Sequence, residues 1–90
     1  MSRQQIIDWA MNQQTGSASS KLTLLALAHL CEETFECSPS VFYLATATEL
    51  NERTVCRNLP ALARLGFITD TKKRAGCRRK IRVWRLEVPQ

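Results

Sequence analysis

Residues 39–68 read PSVFYLATATELNERTVCRNLPALARLGFI, and a cationic run follows them. Pro39 blocks any helix arriving from the N-terminal side, and Ser40 supplies the N-cap of a new one. That helix is expected over residues 41–48, with Leu44 and Ala45 turned inward. Glu49 and Leu50 make a tight turn. Asn51 then caps a further helix over residues 52–65 by accepting from the amide near Thr54. Gly66 is its natural left-handed C-cap. Along this last helix Val55, Leu59 and Leu62 form an apolar stripe, while Arg53, Thr54, Arg57 and Asn58 lie on another side. A helix of this kind buries its stripe and turns a polar, basic face outward. Two short helices held at an angle by a tight turn confine the rest of the chain to packing around them. Pro60 removes one amide donor inside the second helix and favours a kink, or an end near Leu59 with a short piece after it.

The remaining pattern is helical first and strand-like last. Ser2 and Gln5 form a capping-box pattern ahead of a helix over residues 3–12, with Ile6, Trp9 and Ala10 at helical spacing. Residues 15–19 are a loop by composition. Ser19 or Ser20 starts a second helix through Leu30; its leucines cover most of the circumference, which predicts a buried central helix. Residues 32–38 read as a polar connector. Residues 67–71 and 80–88 have strand-like content around a turn near Gly76, giving a hairpin with a basic tip. Trp84 and Leu86 are expected on the core, with Ile81 and Val83 bracing the hairpin. The fold class is therefore mainly α with a small β-hairpin (α+β): a single domain over residues 1–90, with an N-terminal helix at 3–12, a tri-helical core at 19–65 and a hairpin at 67–88.

Charge is segregated along the chain. Residues 1–52 hold two basic and six acidic side chains, a net −4; residues 53–90 hold eleven basic and two acidic, a net +9. Segregation of this kind presents one positive side to a polyanion. No apolar run approaches the ~20 residues that span a bilayer, and the amphipathic N-terminus is unlike a secretory signal. A cytoplasmic protein is expected.

Catalysis and metal binding find little support. There is no Gly-rich phosphate loop and no nucleophile elbow, the acidic residues are scattered, and the one histidine, His29, reads as structural. Cys31, Cys37, Cys56 and Cys77 contain no C-x-x-C pair, the usual sign of structural zinc. Reduced, mostly packed thiols are expected, with no metal and no cofactor.

Pro39-Ser40, Leu44-Ala45, the run from Leu50 to Val55 (LNERTV), and Leu65-Gly66-Phe67-Ile68 together resemble a winged helix-turn-helix domain of the kind found in phage and plasmid replication or regulatory proteins. SSKLTLLALA resembles that family's buried first helix, and the likeness spans about residues 17–86. The tight turn carries Glu49 where the family usually has Gly; a positive φ there would cost a Glu about 1 kcal/mol relative to Gly. Asn51 stands where Ser is usual and caps equally well.

The resemblance implies double-stranded DNA as partner, and the residues supply the chemistry. Arg bonds guanine through O6 and N7, and Asn bonds adenine through N6 and N7. The expected recognition-helix contacts are Arg53, Thr54, Arg57 and Asn58, with Arg64 reaching the flanking backbone. The expected wing contacts are Lys72, Lys73, Arg74, Arg78, Arg79 and Lys80. A small transcriptional regulator, a repressor of a phage, plasmid or other mobile element, is the leading expectation, because ninety residues leave no room for a second domain. A replication-origin-binding or accessory module is the alternative. A protein–protein adaptor is the reading from another class, drawing on an apolar patch around Ile6, Ile7 and Trp9. A homodimer fits symmetric operators, with the first helix either as its contact or, the favoured reading, packed on its own domain; no small-molecule substrate and no membrane partner are expected.

Overall fold

A computed structural model describes residues 2–31, 33–76, 78 and 80–89. The first helix, α1 (Arg3–Met11), begins at the predicted capping box: the Ser2 hydroxyl accepts from the Gln5 amide at 3.3 Å, and the Gln5 side chain accepts from the Ser2 amide at 2.8 Å. Its far end is closed from outside. Lys21 Nζ donates to the carbonyls of Met11 at 2.6 Å, Ala10 at 3.5 Å and Gln13. A cation over the unsatisfied carbonyls of a helix C-terminus is favourable on both hydrogen-bonding and dipole grounds. The sequence pattern gave no hint of this contact, which joins two different helices.

α2 (Ala18–Leu30) starts earlier than expected because Ser17 is the cap, its Oγ accepting from the Ser20 amide at 3.1 Å. Leu24, Leu27 and Ala28 are completely buried, but Leu22 is 43% exposed and Leu25, Ala26 and Leu30 are only partly covered. The helix is thus buried on one side, not all round. The expected connector at 32–38 contains a short strand, β1 (Glu36–Cys37). Two residues carry no alternation to detect, so only pairing reveals it.

α3 (Val41–Thr48) and α4 (Glu52–Arg64) follow with the predicted caps: Ser40 Oγ accepts from the Tyr43 amide at 3.0 Å and Asn51 Oδ1 from the Thr54 amide at 2.8 Å. Between them Glu49 sits at φ 61°, ψ 20°, in the left-handed region. Glu49→Gly is expected to stabilise the fold by about 0.5–1 kcal/mol in urea denaturation, relief of the left-handed strain exceeding the added freedom of the unfolded chain. α4 does not end near Leu59 but continues past Pro60, which is exposed. It ends in a Schellman motif at Gly66 (φ 87°), with the Phe67 amide donating to the Leu62 carbonyl and the Gly66 amide to that of Ala63, both at 3.1 Å.

β2 (Ile68–Ala75) and β3 (Ile81–Leu86) form the hairpin, and β1 adds to the other side of β3, so the antiparallel sheet has the order β1-β3-β2. The molecule is α+β, with four helices and a three-stranded antiparallel sheet among the described residues. Its core joins Ile6 and Ala10 of α1, the buried side of α2, Leu44, then Val55, Leu59 and Leu62 of α4, and finally Ile68, Trp84, Leu86 and Val88. Trp9 and Phe67 meet edge to face at 6.3 Å, so α1 is fastened to its own domain.

Candidate nucleic-acid interface

The amphipathic split of α4 is realised in the packing. Val55 and Leu62 are fully buried and Leu59 nearly so, while Arg53, Arg57 and Arg64 are exposed. At 3.6 residues per turn these three arginines lie within roughly 40° of one another around the axis. They make one cationic stripe, with Cys56 and Pro60 exposed beside it. Thr54 is half-buried at the edge of the stripe.

Asn58, expected among the recognition-helix contacts, lies instead on the core side of α4. Five residues on from Arg53, it is turned roughly 140° away and is only 7% exposed. Its Nδ2 donates to Thr23 Oγ1 at 3.1 Å and Ser19 Oγ at 3.4 Å, tying α4 to α2. The Thr23 hydroxyl spends its own proton on the Ser19 carbonyl at 2.9 Å, so it can only accept from Asn58. Sequence spacing grouped Asn58 with its neighbour Arg57; the matching hydroxyls on α2, four residues apart, were the missed signal.

On the hairpin, Lys72, Lys73, Arg74, Arg78 and Lys80 are all exposed; Arg79 lies outside the described residues. β2 is not a regular strand. Asp70 pairs with Trp84 and Arg74 with Arg82, so residues 71–73 bulge opposite Val83. Lys72 takes φ 68° in the bulge, held there by its amide donating to Asp70 Oδ1 at 2.9 Å. Thr71 Oγ1 donates to the Val83 carbonyl at 2.8 Å and accepts from the Lys73 amide at 3.3 Å. At the tip Gly76 has φ 80°, and a Cβ there would lie 2.8 Å from Ile81 Cδ1.

Carboxylates occupy several of these cations. Glu36 holds Lys73 Nζ at 3.0 and 3.1 Å through both oxygens. Asp70 stands 3.9 Å from Arg74 Nη1 and 3.7 Å from Arg82 Nη1, and Glu87 is 3.4 Å from Arg85 Nη2. Among the described residues no ion pair engages Arg53, Arg57, Arg64, Lys72, Arg78 or Lys80. Lys80 lines a notch of about 210 Å³ with Arg82, Trp84 and the start of α3 at Ser40 and Val41. The paired acids were not among the candidates, yet for two of the three the signal was legible: Asp70 and Glu87 are the two acids in an otherwise cationic half of the chain, whereas Glu36 lies in the acidic half.

The Lys72 amide, helped by the charges of Lys72, Arg74 and Arg82, holds the Asp70 carboxyl below the usual carboxylate range, against burial, which opposes it more strongly than any one of those charges favours it. A lowered folded value means that the charge stabilises the fold fully above about pH 4 and ceases to do so as the pH falls through the lowered value. The stability gap between wild type and Asp70→Asn, followed by urea denaturation across acid pH, is expected to close toward low pH.

Other chemistry is sparse. Cys31 and Cys37 are buried neighbours; hydrogen bonding with the Cys31 thiol, then burial, push the Cys37 thiol far above its ordinary value. Among the described residues no group of three or more His, Cys, Asp or Glu side chains is placed to hold a metal ion. Likewise among them, no helix is long and apolar enough to cross a membrane. A shallow apolar groove of about 260 Å³ runs between α2 and α3, lined by Leu22, Leu25, Ala26, His29, Tyr43 and Ala47.

No family model, curated protein or solved structure matches this chain. What the cationic stripe and hairpin offer is a set of donors for a polyanion: planar guanidinium forks that suit phosphate and the guanine edge, and lysines that suit phosphate as point charges.

Proposed function

We propose that the chain is a winged helix-turn-helix protein that binds double-stranded DNA sequence-specifically. In this reading α3 and α4 are the helix-turn-helix, α4 enters the major groove, and the β2–β3 hairpin is the wing. The observation that carries it is the exposed stripe of Arg53, Arg57 and Arg64, without ion-pair partners among the described residues, on a helix whose other side is locked into the core. The element order α2-β1-α3-α4-β2-β3 and the placement of β3 between β1 and β2 support it. Arg53 and Arg57 read base edges; Arg64, Lys72, Arg78 and Lys80 hold phosphates, with Arg79 assigned to the same role from sequence. Transcriptional regulation of a phage, plasmid or other mobile element is the role the family resemblance favours, with origin binding as its variant.

The test is equilibrium titration of a random-sequence duplex by fluorescence anisotropy at several salt concentrations. Five or six phosphate contacts give a log–log salt slope of about −5. A flat response removes the electrostatic basis of the proposal.

The adaptor reading is favoured by a different observation. The expected patch is not open, since Ile6 is buried and Ile7 and Trp9 pack on the core; of the exposed large apolar residues Met11, Leu22, Phe42, Tyr43 and Leu65, three instead lie on α2 and α3. Leu22→Ser would impair partner capture without touching duplex affinity if that surface carries the function.

A further inference from the structure

The ion pairs of the hairpin sit on its two faces. Side chains alternate along a strand, so Asp70, opposite the buried Trp84, shares the helix-facing side, and Glu36, opposite the exposed Arg85, shares the outer side. Glu36 belongs to β1, at the far edge of the sheet from β2, so Lys73 reaches over β3 to place its ammonium between both carboxylate oxygens at 3.0 and 3.1 Å. On the other face Asp70 lies within 4 Å of two guanidinium groups, Arg74 at 3.9 Å and Arg82 at 3.7 Å, while accepting from the Lys72 amide. A carboxylate held by one cation, as at Glu36, or by two cations and a backbone amide, as at Asp70, offers the donors what a phosphate oxygen pair offers: two acceptor atoms and a negative charge. The cation side chains are 40–62% exposed, so another anion can reach them without unfolding the sheet.

We propose that Glu36 and Asp70 stand in the free protein where duplex phosphates stand in the complex, one on each face of the ribbon, and that binding exchanges these carboxylates for phosphates. This rests on the DNA-binding reading and extends the phosphate contacts beyond Lys72, Arg78 and Lys80 to the outer edge of the sheet, returning the paired Lys73 and Arg74 to the interface and adding Arg82. It also assigns the two acids a role. They mask three cations against weak, non-specific polyanion contact, so that tight binding requires a backbone aligned well enough to displace both. Exposed pairs are held weakly, which makes the exchange feasible.

The test compares Glu36→Gln and Asp70→Asn with Asp8→Asn, an identical charge change on α1. Each variant keeps its shape, and asparagine at position 70 still accepts from the Lys72 amide, so the bulge is preserved; thermal melts verify folding. With a random-sequence duplex at low salt, each hairpin variant is expected to bind about threefold to tenfold more tightly than wild type, with a salt slope steeper by about one. Asp8→Asn should change affinity less than twofold. In a Lys73→Gln background the gain from Glu36→Gln should vanish, since the cation it releases is no longer there. A gain equal to that of Asp8→Asn, or one that persists without Lys73, overturns the inference while leaving duplex binding intact. A wild-type chain that binds no duplex at low salt overturns the functional proposal, and this inference with it.

Discussion

Arg53→Ala combined with Arg57→Ala is expected to weaken binding to a preferred duplex by about two to three orders of magnitude, from roughly 1–3 kcal/mol per base-contacting arginine. Neither residue has an ion-pair partner among the described residues, so the loss would fall on the complex alone. Surface substitutions of this kind leave stability within about 0.5 kcal/mol, and a thermal melt should be nearly unchanged. The form of the loss is as informative as its size. Arg53→Lys keeps the charge but lacks the planar fork, so it should retain most of the affinity for random duplex while blurring preference at one base pair. A double alanine variant with wild-type affinity for its selected site would mean that α4 does not read bases.

The second large effect concerns the join between α2 and α4. Asn58→Asp should lower the unfolding free energy by about 3 kcal/mol at neutral pH, because it places a carboxylate oxygen against Thr23 Oγ1, which has no proton left to donate. The introduced carboxyl would have its folded pKa raised by that site. The penalty is therefore complete above the raised value, shrinks as the pH falls, and is gone below the unfolded value near 4. Asn58→Leu removes the amide and leaves Thr23 bonded to the Ser19 carbonyl, so it should cost about 1 kcal/mol or less. Equal losses in the two variants would show that the amide is not held as a donor between the helices.

That contrast also marks where sequence alone was sufficient. Ser2, Ser40 and Asn51 announced their helices because a capping side chain acts on an amide three residues away, and Gly66 announced an end for the same local reason. The division of α4 into an apolar and a cationic side was equally legible, being set by a period within one element. Contacts between elements were not. Asn58 looked like a base reader because its partners, Ser19 and Thr23, lie more than thirty residues earlier. Leu22 looked buried because a leucine-rich helix does not say which side its neighbours leave open. β1 was invisible because two residues have no period, and Lys21 closes α1 from another helix. The bulge at residues 71–73 depends on how β2 registers with β3 and on the Asx-type contact of Asp70, neither of which alternation encodes.

Amide NMR shifts recorded while a duplex is added test most directly whether α4 and the hairpin act as one surface. The proposal predicts concerted changes at Arg53, Arg57 and Arg64 and at Lys72, Lys73, Arg74, Arg78 and Lys80, with Leu22, Leu25 and Ala47 unmoved. Changes confined to the groove between α2 and α3, with the arginine stripe silent, would contradict it.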